Sequence, residues 1–158
     1  MKCYADSSFV LQLVVEDFAN EEAIECYRAL GRPALMYTGL HELEVLNGLR
    51  LRVFASAALG SRQRALARNQ AVAAGNRLQN LMKRGSLVRV PVEMDDAFSE
   101  ASRLSGLHTE TIGSRSLDTL HVAAARLLSA DQFLTCDLRQ AKLARRTGLK
   151  VKLIGVEG

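Results

Sequence analysis

The sequence predicts an α/β protein in which helices cover both faces of a mostly parallel β-sheet. Short apolar runs bounded by small polar residues, typical of buried strands, alternate with longer segments whose apolar residues repeat at helical spacing. The chain has 158 residues, of which 48% are apolar. That is enough for one compact domain with a core and too little for two domains of ordinary size. We therefore expect 1–158 to form a single domain.

The first half of the chain is predicted to contain two strands and four helices. In order, these are a strand in MKCYAD ending at Asp6, a helix in FVLQLVVE that Ser7 and Ser8 can cap, an acidic helix in EEAIECYRAL, a strand in PALMYTG and a long helix in LHELEVLNGLRLRVFASAAL. An Ala- and Arg-rich helix follows from Ser61 to Arg84. We expect it to be interrupted at Gly75, because glycine disfavours a helix interior.

The second half alternates strands and helices in the same way. SLVRVPV is strand-like, and its Pro91 favours the edge of a sheet or the end of a strand. The predicted elements that follow are a helix in MDDAFSEASRLSG, a polar loop in HTETIGSRS, an apolar helix beginning with SLDTLHVAAA, a strand in QFLTCD, a helix in LRQAKLARRTG and a last strand in LKVKLIGV. Strands and helices in this alternation favour parallel pairing of the strands.

Charge is distributed unevenly along the chain. The formal net charge is +4, yet residues 1–44 hold eight acids against three Lys or Arg, and residues 45–92 hold nine Lys or Arg and no acid. A long acid-free basic segment is typical of a protein that binds a phosphate backbone. A solvated, Arg-rich helical hairpin would have the same composition, so charge alone leaves both interpretations open.

Several classes of protein are excluded by what the sequence lacks. Its uncharged apolar runs fall short of the roughly 20 residues of a membrane-spanning helix, and the N-terminus does not resemble a secretory signal. The three cysteines are widely spaced and form no zinc-binding set, so we expect them to be reduced in a cytoplasmic protein. A nucleotide-binding domain is disfavoured because no Gly-rich phosphate loop follows the first strand.

Acidic residues recur where a parallel sheet places its functional sites, at the carboxyl ends of the strands. Asp6 directly follows the first strand, and Asp137 follows QFLTC. Asp118 opens the helix that leads into that strand, and Glu44 lies about one turn into the helix after the second strand. Asp6 could simply close a turn, and Asp118 and Asp137 could cap helices, although Ser, Thr or Asn would serve a cap equally well. Glu44 could be one exposed residue among many.

Carboxylates that converge repel each other, which either raises their pKa values or requires a cation. Mg²⁺ or Mn²⁺, which prefer carboxylate and water oxygens, are the natural choice. Such a site suits phosphodiester hydrolysis, because the metal lowers the pKa of a bound water and stabilises the attacking and leaving oxygens. A basic surface nearby would bind the polymer.

Three segments resemble the PIN-domain ribonucleases, and within them the VapC-type toxins of prokaryotic toxin–antitoxin systems. They are YADSSFVLQLVVE, TGLHELEVLNGLRL and LDTLHVAAARLLSADQFLTCDLRQAKLARRTGLKV. The last is the most specific, with Asp-x-x-His-x-Ala-x-Ala followed by Leu-Thr-x-Asp. The resemblance implies a PIN-like three-layer α/β/α sandwich and a Mg²⁺- or Mn²⁺-dependent endoribonuclease. The Arg-rich helical segment at about 56–86 matches no motif, in agreement with a family whose middle is variable.

The resemblance also assigns the acids. Asp6, Asp118 and Asp137 match the first, third and fourth acid of the family, and all four acids would be catalytic metal ligands. For the second acid there are two candidates, Glu42 and Glu44. Glu44 fits better because it precedes an apolar residue and the NGLRL run. Two residues of helix separate the candidates by about 160°, so both cannot face one metal.

Further residues are candidates for contacts with substrate. Ser7 matches the hydroxyl residue after the first acid, Thr135 precedes Asp137 in the last motif, and Arg115 lies in the loop before Asp118. His121 is three residues from Asp118, on the same helix face. We interpret it as a packed residue satisfied by a carbonyl and leave it out of the catalytic set, since hydrolysis at a metal held by acids needs no histidine base.

The resemblance implies partners as well. These are an RNA substrate, a cognate antitoxin protein whose C-terminal segment covers the acidic site, and a second copy of the chain in a homodimer; no membrane is involved. The alternative hypothesis is a PIN-like module that binds nucleic acid or protein without cleaving it. Retention of all four acids argues against this alternative.

Overall fold

Five short strands form one parallel sheet at the centre of the protein. The computed structural model describes residues 1–16 and 20–155; Val156, the end of the last predicted strand, lies outside them. The strands are β1 (Cys3–Ala5), β2 (Leu35–Tyr37), β3 (Leu87–Arg89), β4 (Gln132–Thr135) and β5 (Lys150–Leu153). Their order across the sheet is β3-β2-β1-β4-β5, and every neighbouring pair is parallel. The edge position predicted for the strand before Pro91 is confirmed.

Seven helices connect and follow these strands in the described part of the chain. They are α1 (Ser7–Val14), α2 (Glu21–Ala29), α3 (Gly39–Ser56), α4 (Ser61–Lys83), α5 (Met94–Ile112), α6 (Ser116–Leu127) and α7 (Leu138–Arg146). A single 3₁₀ turn at Ala57–Leu59 separates α3 from α4. The strands and helices alternate as the sequence predicts, and each parallel crossover contains at least one helix, as parallel pairing requires.

Alternation of side chains along the strands divides the core into two clusters, one on each face of the sheet. Cys3 and Ala5 pack on one face with residues of α1, α2, α3 and α4. Tyr4, between them, packs on the other face with residues of α5, α6 and α7. Leu134 and Phe133 divide in the same way on β4. The result is the predicted three-layer α/β/α sandwich.

Two helix boundaries differ from the prediction. Helix α4 is continuous through Gly75, because its long contact with α3 outweighs the roughly 1 kcal/mol by which glycine disfavours a helix interior. Helix α5 passes Gly106 and includes much of the predicted polar loop, ending only at Gly113. Gly113 has φ +73°, the left-handed conformation of a helix C-cap.

The cap of α1 also differs from the prediction, because Asp6 itself is the N-cap residue rather than Ser7 or Ser8.

The three cysteines are free thiols. Among the helices of the described residues, none combines the length and hydrophobicity that crossing a membrane requires.

Candidate active site

The predicted acids lie at one edge of the sheet, where strands end and helices begin. Asp6 follows β1 and caps α1, and Asp137 follows β4 and caps α7. Asp118 belongs to the first turn of α6, and Glu44 lies in the second turn of α3, the helix after β2. The two strands that contribute an aspartate, β1 and β4, are neighbours in the sheet. Capping and site formation are therefore compatible roles for these aspartates.

Asp6 is the most deeply buried of the four acids, with no exposed surface. Its Oδ1 accepts hydrogen bonds from Ser8 Oγ at 2.6 Å and Phe9 N at 2.9 Å, and its Oδ2 accepts one from Thr135 Oγ1 at 2.6 Å. Burial raises the pKa of Asp6, against the lowering effects of the nearby His121 and of these hydrogen bonds. The carboxyl group is thus fixed in position by three donors.

Arg115 links Asp118 to Asp137. Its backbone N–H donates to Asp118 Oδ2 at 2.8 Å and its Nε donates to the same oxygen at 3.3 Å. Its Nη2 lies 3.5 Å from Asp118 Oδ1 and 3.3 Å from Asp137 Oδ2. The hydrogen bond and charge of Asp118, together with the charges of Asp137 and Glu44, raise the pKa of the Arg115 guanidinium. The exposed guanidinium of Arg115 therefore interacts electrostatically with three of the predicted acids.

Gln140 also joins Asp118 to Asp137. Its backbone N–H donates to Asp137 Oδ1 at 3.1 Å, and its side-chain Nε2 donates to Asp118 Oδ1 at 3.3 Å. Its own Oε1 is buried without a hydrogen-bond partner. Sequence reasoning missed this residue, although Asp137-Leu-Arg-Gln140 has the spacing of a capping box, which is a usable signal.

Glu44 is held by His121, which is completely buried on α6. His121 Nε2 donates a short hydrogen bond to Glu44 Oε2, and Ser7 Oγ lies 3.1 Å from the same nitrogen. Tyr4 Oη, at 2.8 Å, supplies the partner for Nδ1. Burial alone would raise the pKa of Glu44, but the hydrogen bond and charge of His121 reverse the shift and lower it. The partners of His121 are therefore side chains, not the carbonyl expected from the sequence.

Shared hydrogen-bond partners connect three of the acids, since Thr135 contacts Asp6 and the Asp137 backbone. Arg115 contacts both Asp137 and Asp118. The charges of Asp118, Asp137 and Glu44 all raise the pKa of Arg115. The charge of His121 acts to lower the pKa values of both Glu44 and Asp6. Glu42 lies outside this group, because it forms an exposed ion pair at 2.8 Å with Arg89 of β3. The geometry thus separates the two glutamates in the way that helical spacing predicts.

The three residues predicted to touch substrate differ in exposure. Thr135 is fully buried, and Ser7 is 6% exposed. Thr135 Oγ1 donates to Asp6 and accepts from Asp137 N at 2.9 Å, so it positions two acids from beneath. Arg115 has 64% of its side chain exposed. The structure therefore leaves only Arg115 accessible to a substrate, because burial shields Ser7 and Thr135.

Ser8 is a second residue that sequence reasoning missed as part of the site. Its hydroxyl donates to Asp6 and accepts from Cys136 N at 2.9 Å. This bridge ties the start of α1 to the turn between β4 and α7. No sequence signal distinguishes Ser8 from an ordinary helix residue, since the contact spans 128 positions.

The donor chemistry of the site fits Mg²⁺ or Mn²⁺, because four carboxylates provide the hard oxygen ligands that these ions prefer. Across residues 1–16 and 20–155, however, no three His, Cys, Asp or Glu side chains are arranged to hold a metal ion. The guanidinium of Arg115 is paired with both Asp118 and Asp137. A divalent cation would compete with Arg115 for these two carboxylates.

Comparison with known proteins identifies the architecture. No family model matches the sequence, and no curated protein matches it. Among solved structures, the chain is similar to the crystal structure of FitAcB from Neisseria gonorrhoeae, with a TM-score of 0.57 over 94% of this chain and 95% of that one. The fold is PIN-like. At 13% identity this likeness concerns the backbone arrangement alone and assigns no role to any residue of this chain.

Proposed function

We propose that this protein is a metal-dependent endoribonuclease and the toxin of a toxin–antitoxin pair. One observation supports the proposal: hydrogen bonds through Thr135 and Arg115 connect Asp6, Asp137 and Asp118 at the ends of β1 and β4. Glu44 is hydrogen-bonded to His121, which also contacts Ser7 next to Asp6. The motifs containing these acids resemble the VapC-type toxins. A purely structural role would require neither the convergence nor four carboxylates, since caps can be neutral.

The acids would hold Mg²⁺ or Mn²⁺, which would supply an activated water and neutralise charge on the phosphate under attack. Glu44 and Asp137 have the most exposed side chains of the four acids, at 24% and 19%. Asp118 is buried but is in contact with the exposed Arg115. His121 and Tyr4 fix the orientation of Glu44. Thr135 and Ser8 fix Asp6. Arg115, once released from one carboxylate, would contact a phosphate oxygen of the RNA.

An antitoxin fits the same site. The position of Arg115 supports this idea, since a guanidinium is accommodated between Asp118 and Asp137. A basic side chain from an antitoxin would neutralise the same carboxylates and exclude the metal. The resemblance to the VapC-type toxins implies in addition that the protein forms a homodimer.

The test is cleavage of RNA by the purified protein with Mn²⁺, with Mg²⁺ and with EDTA. We expect cleavage with either metal and none with EDTA. Asp118→Asn should abolish cleavage while keeping the circular dichroism spectrum, and Asp95→Asn, in the first turn of α5, is the matched control that should retain activity. Unchanged cleavage by Asp118→Asn would contradict the assignment of Asp118 to the active site.

The pairing of Asp118 and Asp137 with Arg115 favours a second candidate, a PIN-like module that binds RNA without cleaving it. In such a module the guanidinium would permanently replace the metal. RNA bound by the protein but intact with every metal tested would support the module and contradict the enzyme.

A further inference from the structure

Helix α7 carries a basic face next to the acidic site. All charged residues within the helix are cations, and they are Arg139, Lys142, Arg145 and Arg146. Its opposite face packs into the core through Ala141, Leu143 and Ala144. Charged and buried residues are separated onto opposite faces more clearly in α7 than in α4, whose arginines are spread along 23 residues.

These cations are largely free for a partner. Lys142, Arg145 and Arg146 are exposed, and within the described residues none of them forms an ion pair with an acid. Glu100 of α5 is already paired with Arg103 and Arg126. Arg145 and Arg146 lie in the last turn, where cations favour the helix dipole. That effect does not account for Lys142 or Arg139.

The basic face begins at the candidate active site. Arg139 Nη2 lies 3.6 Å from Asp137 Oδ2, the same oxygen that Arg115 Nη2 approaches to 3.3 Å. From Arg139 to Arg146 the helix advances about 10 Å. Lys142, Arg145 and Arg146 line an open cleft together with Thr111 and Ile112, the end of α5. The cations of α7 therefore follow one another along the helix axis, away from the carboxylates.

We propose that this face of α7 binds the phosphate backbone of an RNA strand on one side of the phosphate that lies at the acidic site. The inference rests on the proposed function, which supplies the RNA and fixes the phosphate at the acids. A strand reaching carboxylates would be repelled unless cations flank them, and α7 provides four within one short helix. Contacts of this kind recognise the backbone and not the base sequence.

The exposed arginines of α4 are the competing surface, because they belong to the long acid-free segment of the sequence. Arg62, Arg64 and Arg68 lie on a helix that packs against α3, α1 and β3. That helix belongs to the layer of the sandwich opposite α7. The α4 arginines give a matched control, since removing three of them changes the net charge by the same amount.

The binding experiment uses a fluorescent 12-nucleotide RNA, EDTA and a series of salt concentrations. The variant K142A/R145A/R146A should bind at least tenfold more weakly at low salt, and the slope of log K against log salt should fall in magnitude by about 2, the value for three phosphate contacts on a single strand. The variant R62A/R64A/R68A should keep the wild-type slope, and so should R145K/R146K, which retains the charge. An unchanged slope in the first variant, no RNA binding by the unmodified protein, or an equal loss in the α4 variant would overturn the proposal.

Cleavage with Mn²⁺ separates this proposal from the proposed function. The α7 variant should raise KM for the 12-nucleotide RNA and leave cleavage of a dinucleotide unchanged, because a dinucleotide has no phosphate besides the one that is cleaved. If the unmodified protein cleaves neither RNA but its binding still depends on α7, the nuclease function fails and the RNA-binding face stands. If it cleaves both and the α7 variant matches it on both, the nuclease stands and the face fails.

Discussion

Glu44 and Glu42 are two residues apart on α3 but have different partners. Glu44 receives a hydrogen bond from buried His121, and Glu42 pairs with Arg89 at the surface. We predict that Glu44→Gln slows RNA cleavage by about 100-fold or more, the scale for loss of one group that stabilises charge at a reacting centre. Glu42→Gln should cleave within a fewfold of wild type. Single-turnover rates at saturating Mn²⁺ measure both, and equal losses in the two variants would contradict the assignment.

Thr135 is predicted to act on stability through Asp6. Thr135→Val keeps the shape of the side chain but removes the hydroxyl that donates to Asp6 and accepts from Asp137 N. Leaving these buried polar groups without a partner should lower the free energy of unfolding by about 2 kcal/mol. Thr135→Ser, which keeps the hydroxyl, should lose less. Urea unfolding at neutral pH measures the difference, and a Val variant as stable as the wild type would show that Asp6 does not need this donor.

At the scale of elements, the junction between β2 and α3 depends on a neutral histidine. His41 Nδ1 accepts from Thr38 N at 3.0 Å, and its Nε2 donates to the Ala5 carbonyl at 2.6 Å. Burial, helped by the charge of His121, lowers the pKa of His41 to about 3. The unfolded chain binds a proton at this residue below pH of about 6.5, and the folded protein does not until the pH approaches 3. Stability should therefore fall as the pH drops through this window, by up to about 1.4 kcal/mol per unit.

The variant that isolates this effect is His41→Gln, which has no titrating group at the position. Between pH 6.5 and pH 4 its free energy of unfolding should decrease less steeply than that of the wild type, although it is less stable at neutral pH. His108→Gln, at a half-buried position on α5, is the control for removing a histidine elsewhere in the protein. Identical slopes for wild type and His41→Gln would show that His41 does not remain neutral on acidification.

Most elements could be predicted from the sequence because their signals are local. The alternation of short apolar runs with segments of helical periodicity predicted the sandwich. Asp6 and Asp137 could be placed because Asp6 directly follows β1 and Asp137 comes two residues after the end of β4. Glycine was the least reliable signal. Gly75 and Gly106 lie inside helices, whereas Gly113 ends α5 because its φ is positive. Whether a glycine ends a helix depends on its conformation and on packing, which a single sequence does not state.

The contacts that fix the site could not be predicted in the same way, since they join residues far apart in sequence. Ser8 reaches Cys136, and His121 reaches Glu44 over 77 positions. The sequence allowed Arg115 to be selected as a candidate from its loop. It did not predict that Arg115 lies between Asp118 and Asp137. The sequence thus indicates which acids are available, and tertiary packing decides which side chains hold them.

For the whole molecule, the strand order determines where the acids meet. The chain leaves β1 toward β2 and β3 on one side and returns to β4 and β5 on the other. The crevice where the order reverses lies outside the carboxyl ends of β1 and β4, the usual binding site in open parallel sheets. Asp6 and Asp137 border this crevice, and α6 brings Asp118 to it from the opposite layer to α1 and α3.

Because the acids come from both layers but share Arg115 and His121, we predict that they act as one unit. Glu44→Gln and Asp137→Asn should each reduce single-turnover cleavage strongly, and the double variant should lose little more than the worse single variant, as groups that act together do. The measurement is the cleavage rate of a fluorogenic RNA at saturating Mn²⁺, with circular dichroism to verify folding. Losses that multiply in the double variant would mean that the two carboxylates stabilise the reaction independently. Glu44 would then act outside the unit formed by Asp118, Asp137 and Arg115.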